Sequence, residues 1–124
     1  TSVLTQSALL ETEPWGKTDQ TRFINCALLI ETQLTAFELL ENILKIEIEL
    51  GRVRHEKWGE RTIDIDIIFY EDEIINSDIL TIPHPFMHER EFVLESLIGI
   101  CPEYEHPVLK LKVKELLNKI KQGL

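Results

Sequence analysis

The chain has 124 residues, 44% hydrophobic and 28% charged, which makes one globular domain with a real core and is too little for two. A formal net charge of −9 argues against a general binder of nucleic acid or of anionic membrane surfaces. No apolar run approaches a membrane span and no signal peptide is visible, so the expectation is a soluble cytoplasmic protein.

Residues 2–12 (SVLTQSALLET) read as a strand with imperfect alternation, and residues 13–20 as a loop punctuated by Pro14 and Gly16. Trp15 in that loop is either a surface-packing lid residue or the wall of a ligand pocket. Residues 23–32 (FINCALLIET) read as a second strand, with Phe23, Asn25, Ala27 and Leu29 on one face. A polar amide among apolar neighbours is costly unless bonded, so Asn25 either satisfies backbone or recognises a ligand. Cys26 and Cys101 lie in apolar contexts without CxxC spacing; free thiols in a reducing compartment are expected ahead of a disulfide.

The clearest helix covers residues 35–50. Thr35 followed by Glu38 makes a capping box, Ala36, Phe37, Leu40, Ile43, Leu44 and Ile48 make an apolar stripe, and Gly51 is expected to stop the helix. Glu47, near its end, reads as a solvated charge or as a group placed to reach a ligand held by the next loop. That loop is basic: Arg52, Arg54, Lys57 and Arg61 fall within ten residues of an acidic chain. A small polyanion is the partner this pattern suits.

Residues 62–69 read as a β-strand, rich in β-branched and aromatic residues. Ile63, Ile65, Ile67 and Phe69 take one face and Asp64 and Asp66 the other, the aspartates about 7 Å apart from the rise of a strand. Two such carboxylates can converge on a divalent cation. The plainer alternative is a half-solvated strand whose aspartates face water. Asp is depleted in strands, and the adjoining arginines favour the metal–nucleotide reading. Further on, 71–73 is an acidic turn and 74–75 an apolar return. His84 and His88 have zinc-pair spacing, but Pro83 and Pro85 forbid a regular helix through them. Residues 92–100 and 113–122 read as short helices, the second burying Val113, Leu116, Leu117 and Ile120.

Three segments together, GRVR, KWGERTIDIDI and IPHPFMHEREFVL, resemble the 6-hydroxymethyl-7,8-dihydropterin pyrophosphokinases of folate synthesis. That family's signature is R-x-[LIVM]-D-[LIVM]-D followed by P-H-x-x-M-x-x-R-x-F-V-L. The run from Arg61 to Asp66 matches the first part, and the run from Pro83 to Leu94 the second. The loop Thr12-Glu13-Pro14-Trp15-Gly16 and the strand start Phe23-Ile24-Asn25 are similar too, and the likeness is colinear over the chain. It implies an α+β fold, a ferredoxin-like antiparallel sheet with helices packed on it, in one pyrophosphokinase domain over residues 1–124. Family members open with a Gly-Ser-Asn strand and a helix that these residues do not contain. The expectation is therefore a portion of a longer chain, incomplete at its N-terminal side relative to the family.

The resemblance also implies an activity: pyrophosphoryl transfer from ATP to the pterin hydroxymethyl group, giving AMP. Two Mg²⁺ ions would be held by Asp64 and Asp66, with Arg52 and Arg61 as the catalytic arginines. Glu47, Arg52, Arg54, Lys57, Trp58, Ile67, Thr81, His84 and Arg90 match ATP-site positions. Thr12, Glu13, Trp15, Phe23, Asn25, Trp58 and Phe92 match pterin-site positions, with Phe23 and Phe92 sandwiching the ring. Pro85 departs from the aromatic that many members carry. A monomer that binds neither nucleic acid nor membrane is expected. The rivals are a non-catalytic ferredoxin-like module and an ordinary one-phosphoryl kinase; the absence of GxxxxGK[ST] argues against a P-loop enzyme.

Overall fold

The computed structural model describes residues 1–12, 23–54 and 63–123, with Thr12, Phe23 and residues 52–54 as backbone only. The described elements are β1 (Ser2–Gln6), β2 (Leu10–Thr12), β3 (Phe23–Asn25), β4 (Leu28–Glu31), α1 (Ala36–Arg54), β5 (Ile75–Asn76), β6 (Thr81–Ile82), a 3-10 turn (Met87–Glu89), α2 (Glu91–Ile98) and α3 (Val113–Lys121). The α+β character holds: three helices accompany small antiparallel sheets. Strand pairing is two-stranded in each case, β1 with β4, β2 with β3 and β5 with β6. The chain divides into two compact units, one formed by Thr1–Thr32 with Pro85–Leu124 and the other by Gln33–His84.

In the first unit the two strands expected over residues 2–12 and 23–32 are each interrupted. Ser7 and Ala27 explain the break. The Ser7 N–H donates to the Ala27 carbonyl at 2.9 Å, and the Ala27 N–H donates to Ser7 Oγ at 2.8 Å. A hydroxyl thus replaces a carbonyl at this rung, so Ser7 satisfies both backbone groups while the ladder is broken. The β1–β4 register also slips between Val3 and Thr5, one extra residue on one strand bending the pair. α2 packs against α3, the 3-10 turn, β2 and β3. Met87, Leu94, Leu97, Val113, Leu116 and Leu117 are buried on these elements, each contributing about 1.5–3 kcal/mol through loss of apolar surface to water. The end of α3 that enters this core is capped where the Lys112 N–H donates to Glu115 Oε1 at 2.8 Å.

The second unit is built on α1. The expected capping box is present: the Thr35 N–H donates to Glu38 Oε1 at 2.9 Å, and the Glu38 N–H to Thr35 Oγ1 at 3.2 Å. Gly51 does not stop the helix, which runs on to Arg54. A helical glycine costs only about 1 kcal/mol, and no positive φ is recorded at Gly51. The buried stripe is also rotated from the one expected. Ala36, Leu39 and Ile43 are buried and Leu40, Glu47 and Leu50 half-buried, while Phe37, Leu44 and Ile48 are exposed. Ala36, Leu80 and Ile82 form the unit's core, with Leu40, Ile67, Tyr70 and Ile75 against it. Tyr70 secures its segment by donating its hydroxyl to the Leu34 carbonyl. Ser77 and Leu80 close the β5–β6 turn with reciprocal bonds of 3.0 Å.

The strand expected over residues 62–69 is corrected by the structure: among the described residues, 63–70 carry no strand pairing. The alternation survives in exposure, with Asp64 and Asp66 exposed and Ile65 and Ile67 half-buried. What is missing is a ladder. Local pattern can favour an extended chain, but a strand exists only where a neighbour takes its backbone hydrogen bonds. Here the Ile65 N–H goes to the Glu47 carboxylate, and the Ile68 carbonyl receives the His84 N–H.

Candidate functional site

In the second unit the acidic pair lies on the extended segment that runs beside α1. Asp64 and Asp66 are exposed on either side of Ile65, whose N–H donates to Glu47 Oε2 at 2.8 Å. Ile67 is half-buried against the core of Ala36, Leu80 and Ile82. The Ile68 carbonyl takes the His84 N–H at 3.0 Å, which ties His84 to the same segment. Thr81 is half-buried in β6, beside core residue Ile82. The structure therefore brings Glu47, Asp64, Asp66, Ile67, Thr81 and His84 into one unit, organised by one stretch of extended backbone. Ile82–Pro83 is a cis peptide bond.

The two aspartates fit the chemistry of a hard cation. Mg²⁺ is held through one or two carboxylates and completes its octahedral shell with phosphate oxygens and water. Among the described residues no group of three His, Cys, Asp or Glu side chains gathers as an all-protein metal cage. One or two carboxylates together with phosphate oxygens are the donor set that Mg²⁺–nucleotide binding uses.

Of the basic loop, Lys57, Trp58 and Arg61 lie outside the described residues. Arg52 and Arg54 belong to the last turn of α1. On the pterin side, Glu13 and Trp15 also lie outside them.

In the first unit, β2 and β3 pair so that Thr12 stands opposite Phe23 and Leu10 opposite Asn25. α2, which carries half-buried Phe92, packs on both strands. Four of the residues expected at the pterin site (Thr12, Phe23, Asn25 and Phe92) thus sit on three mutually packed elements. Arg90 immediately precedes α2 and is exposed, with its guanidinium 5.8 Å from the centre of the Phe86 ring, within cation–π range. Pro85 is exposed. Cys26 and Cys101 are both free thiols, as expected, and burial pushes the Cys101 thiol pKa up.

Charge in the rest of this unit is arranged for structure. Glu103 accepts from Lys114 at 2.7 Å and from Lys112 at 2.9 Å. These two bonds, that from Lys114 first, hold its carboxyl down at about 2. His106 is buried and its Nδ1 accepts from the Val108 and Leu109 N–H groups. Burial first, and the His88 charge next, push its imidazole below the usual histidine range. Its ring stands edge-on to His88 with centroids 6.4 Å apart. No helix among the described residues is long and apolar enough to cross a membrane.

Comparison with known proteins shows what the chain is similar to. Residues 1–102 match the family model described as 7,8-dihydro-6-hydroxymethylpterin-pyrophosphokinase. A 2-amino-4-hydroxy-6-hydroxymethyldihydropteridine pyrophosphokinase of Methylorubrum extorquens is 48% identical over 101 residues, covering 82% of this chain and 64% of that protein. The enzyme of the same name from Aquifex aeolicus is 42% identical over 109 residues, covering 88% of this chain and 68% of its own length. A Schizosaccharomyces pombe protein, "Folic acid synthesis protein fol1", is 42% identical over 123 residues, which is 98% of this chain and 17% of the larger protein. The chain spans less than two thirds of the Methylorubrum relative. It belongs to the 7,8-dihydro-6-hydroxymethylpterin-pyrophosphokinase family.

Proposed function

We propose that this member of the family transfers the β,γ-pyrophosphoryl group of ATP to 6-hydroxymethyl-7,8-dihydropterin in folate synthesis. The pterin hydroxymethyl oxygen bonds to the β-phosphorus, the bond from that phosphorus to the α,β-bridging oxygen breaks, AMP leaves, and the hydroxyl proton passes to solvent. The observation that carries the reading is the pair Asp64 and Asp66, exposed on one extended segment, in a chain whose first 102 residues match the family.

Asp64 and Asp66 would hold two Mg²⁺ ions. When bound, these ions neutralise phosphate charge and make the pterin hydroxyl more acidic. The chain's own part is positioning and electrostatics, since phosphoryl transfer asks for little covalent chemistry from the protein. Arg52 and Arg61 would bind the migrating group, because a guanidinium fork gives phosphate two parallel charged hydrogen bonds. Arg54, Lys57, His84 and Arg90 would supply further cationic or donor contacts to ATP, and Ile67 and Thr81 line its site. Phe23 and Phe92 would stack on the pterin ring while Asn25 bonds its polar edge, with Thr12, Glu13 and Trp15 beside it. Trp58 would close over both substrates and exclude water. The free thiols suit a cytoplasmic setting.

Incubating the protein with ATP, Mg²⁺ and 6-hydroxymethyl-7,8-dihydropterin, and separating the nucleotides, tests this. AMP formed only when the pterin is present is the expected result. ADP with a pterin monophosphate would instead identify a one-phosphoryl kinase. No turnover by a folded sample that binds ATP would identify a binding module.

A further inference from the structure

We propose that Glu47 is a positioning residue for the acidic pair, fixing the peptide between Asp64 and Ile65 so that both aspartates face the bound cations and phosphate. This rests on the metal–nucleotide reading of Asp64 and Asp66 given above. Glu47 follows the helical register of buried and half-buried residues on α1, with Ala36, Leu39, Leu40 and Ile43 before it and Leu50 after it. A carboxylate on the packed stripe of a helix is costly unless it finds donors. It finds one in the Ile65 N–H, 2.8 Å from Oε2, a charge-assisted bond of the stronger class.

That N–H belongs to the peptide plane joining Asp64 to Ile65. Holding it sets the backbone torsion that follows the Asp64 Cα, and with it the direction in which the chain enters Asp66. The restraint matters because it is made on the backbone of the pair itself, and among the described residues, 63–70 carry no strand ladder. The segment is held next at Ile67, by packing in the core, and at Ile68, by the His84 N–H. Both of those anchors lie beyond Asp66. On the near side, the Glu47 bond fixes the backbone of the pair itself. A side chain outside the cation's own ligands, yet fixing their orientation, typically alters metal affinity about 10- to 100-fold when removed.

The role differs from that of a group touching ATP, and two substitutions separate them. Glu47→Gln keeps an acceptor oxygen for the Ile65 N–H and loses the charge. Glu47→Leu removes the acceptor and suits the packed stripe, so the helix should survive; thermal unfolding checks this. Mn²⁺ binding, followed by electron paramagnetic resonance in the presence of a non-cleavable ATP analogue, is the readout, with Asp64→Asn as the reference. We expect Glu47→Gln to stay within about threefold of wild type, Glu47→Leu to weaken Mn²⁺ at least about tenfold, and Asp64→Asn to abolish tight binding. A Glu47→Gln affinity as poor as that of Glu47→Leu would overturn the positioning role in favour of a direct charge contact. A wild-type affinity in Glu47→Leu would overturn it while the Asp64→Asn loss kept the site itself intact. Wild-type affinity in Asp64→Asn would remove the site, and the positioning role with it.

Discussion

Replacing His106 by Phe keeps a ring in its buried position and deletes both ring nitrogens, the acceptor Nδ1 among them. His106 Nδ1 receives two backbone N–H groups, from Val108 at 3.1 Å and Leu109 at 3.0 Å. The same residue closes the turn through its backbone, donating to the Leu111 carbonyl and accepting from the Lys110 N–H, each at 2.8 Å. The turn leads into the Glu105–Lys112 bridge and then α3. Two lost hydrogen bonds at about 1 kcal/mol each give about 2 kcal/mol. Val108 and Leu109 are themselves exposed, so water recovers part, leaving about 1–2 kcal/mol. With a urea slope of about 1–3 kcal/mol per molar for a small domain, the midpoint should fall by about 1 M at pH 8. Acid should do to the wild type what the substitution does at pH 8. The folded imidazole is held below its ordinary value of 6.5, chiefly by burial, so the unfolded chain takes up the proton first. This contribution is complete above pH 6.5 and is lost as pH falls through the folded value. The gap in urea midpoint between wild type and His106→Phe should therefore narrow from pH 8 to pH 5. An equal gap at both pH values, or no gap at pH 8, would refute the acceptor role.

Asp66→Ala should abolish AMP formation while moving the urea midpoint by less than the equivalent of about 0.5 kcal/mol, because Asp66 is exposed; retained turnover would remove the metal assignment. Leu94→Ala, at a side chain with no exposed surface, should cost about 2–5 kcal/mol in the same urea titration, whereas Val108→Ala at an exposed position should stay within about 0.5 kcal/mol. Thr35→Ala breaks one arm of the capping box on α1 and should cost about 1 kcal/mol, recovered by Thr35→Ser.

What could be read in advance follows the reach of each interaction along the chain. The Thr35–Glu38 box spans three residues, so its chemistry was visible in the letters. The break at Ser7 was not, because its cause is Ala27, twenty residues away, and nothing in SVLTQSALLET marks one serine hydroxyl as a ladder rung. Gly51 misleads for another reason. Its helical penalty is small beside what the flanking turns gain, so a residue that permits an end does not impose one. The rotated stripe on α1 shows a similar ambiguity. This helix is apolar over so much of its circumference that Phe37, Leu44 and Ile48 flanked Ala36, Leu40 and Ile43 as plausibly as Leu39 did, and only the residues that pack opposite could choose between them.

The site divides along the same line. Asp64 and Asp66 stand out as candidates because two aspartates at i and i+2 in an isoleucine run contradict local propensity. Their support was not legible, since Glu47 and Ile65 meet across eighteen residues. One signal did exist. Seven residues after Ala36 comes Ile43, four more bring Glu47 and three more Leu50, so a carboxylate stands where the helix needs an apolar side chain. Read with the stripe in its correct register, that position demands a donor, and the segment carrying the aspartates supplies one in the Ile65 N–H. The expectation of a regular strand over 62–69 hid this, because a strand would already have committed the Ile65 N–H. Among the described residues, the amide of Ile65 that the expected strand would have used is the amide Glu47 holds.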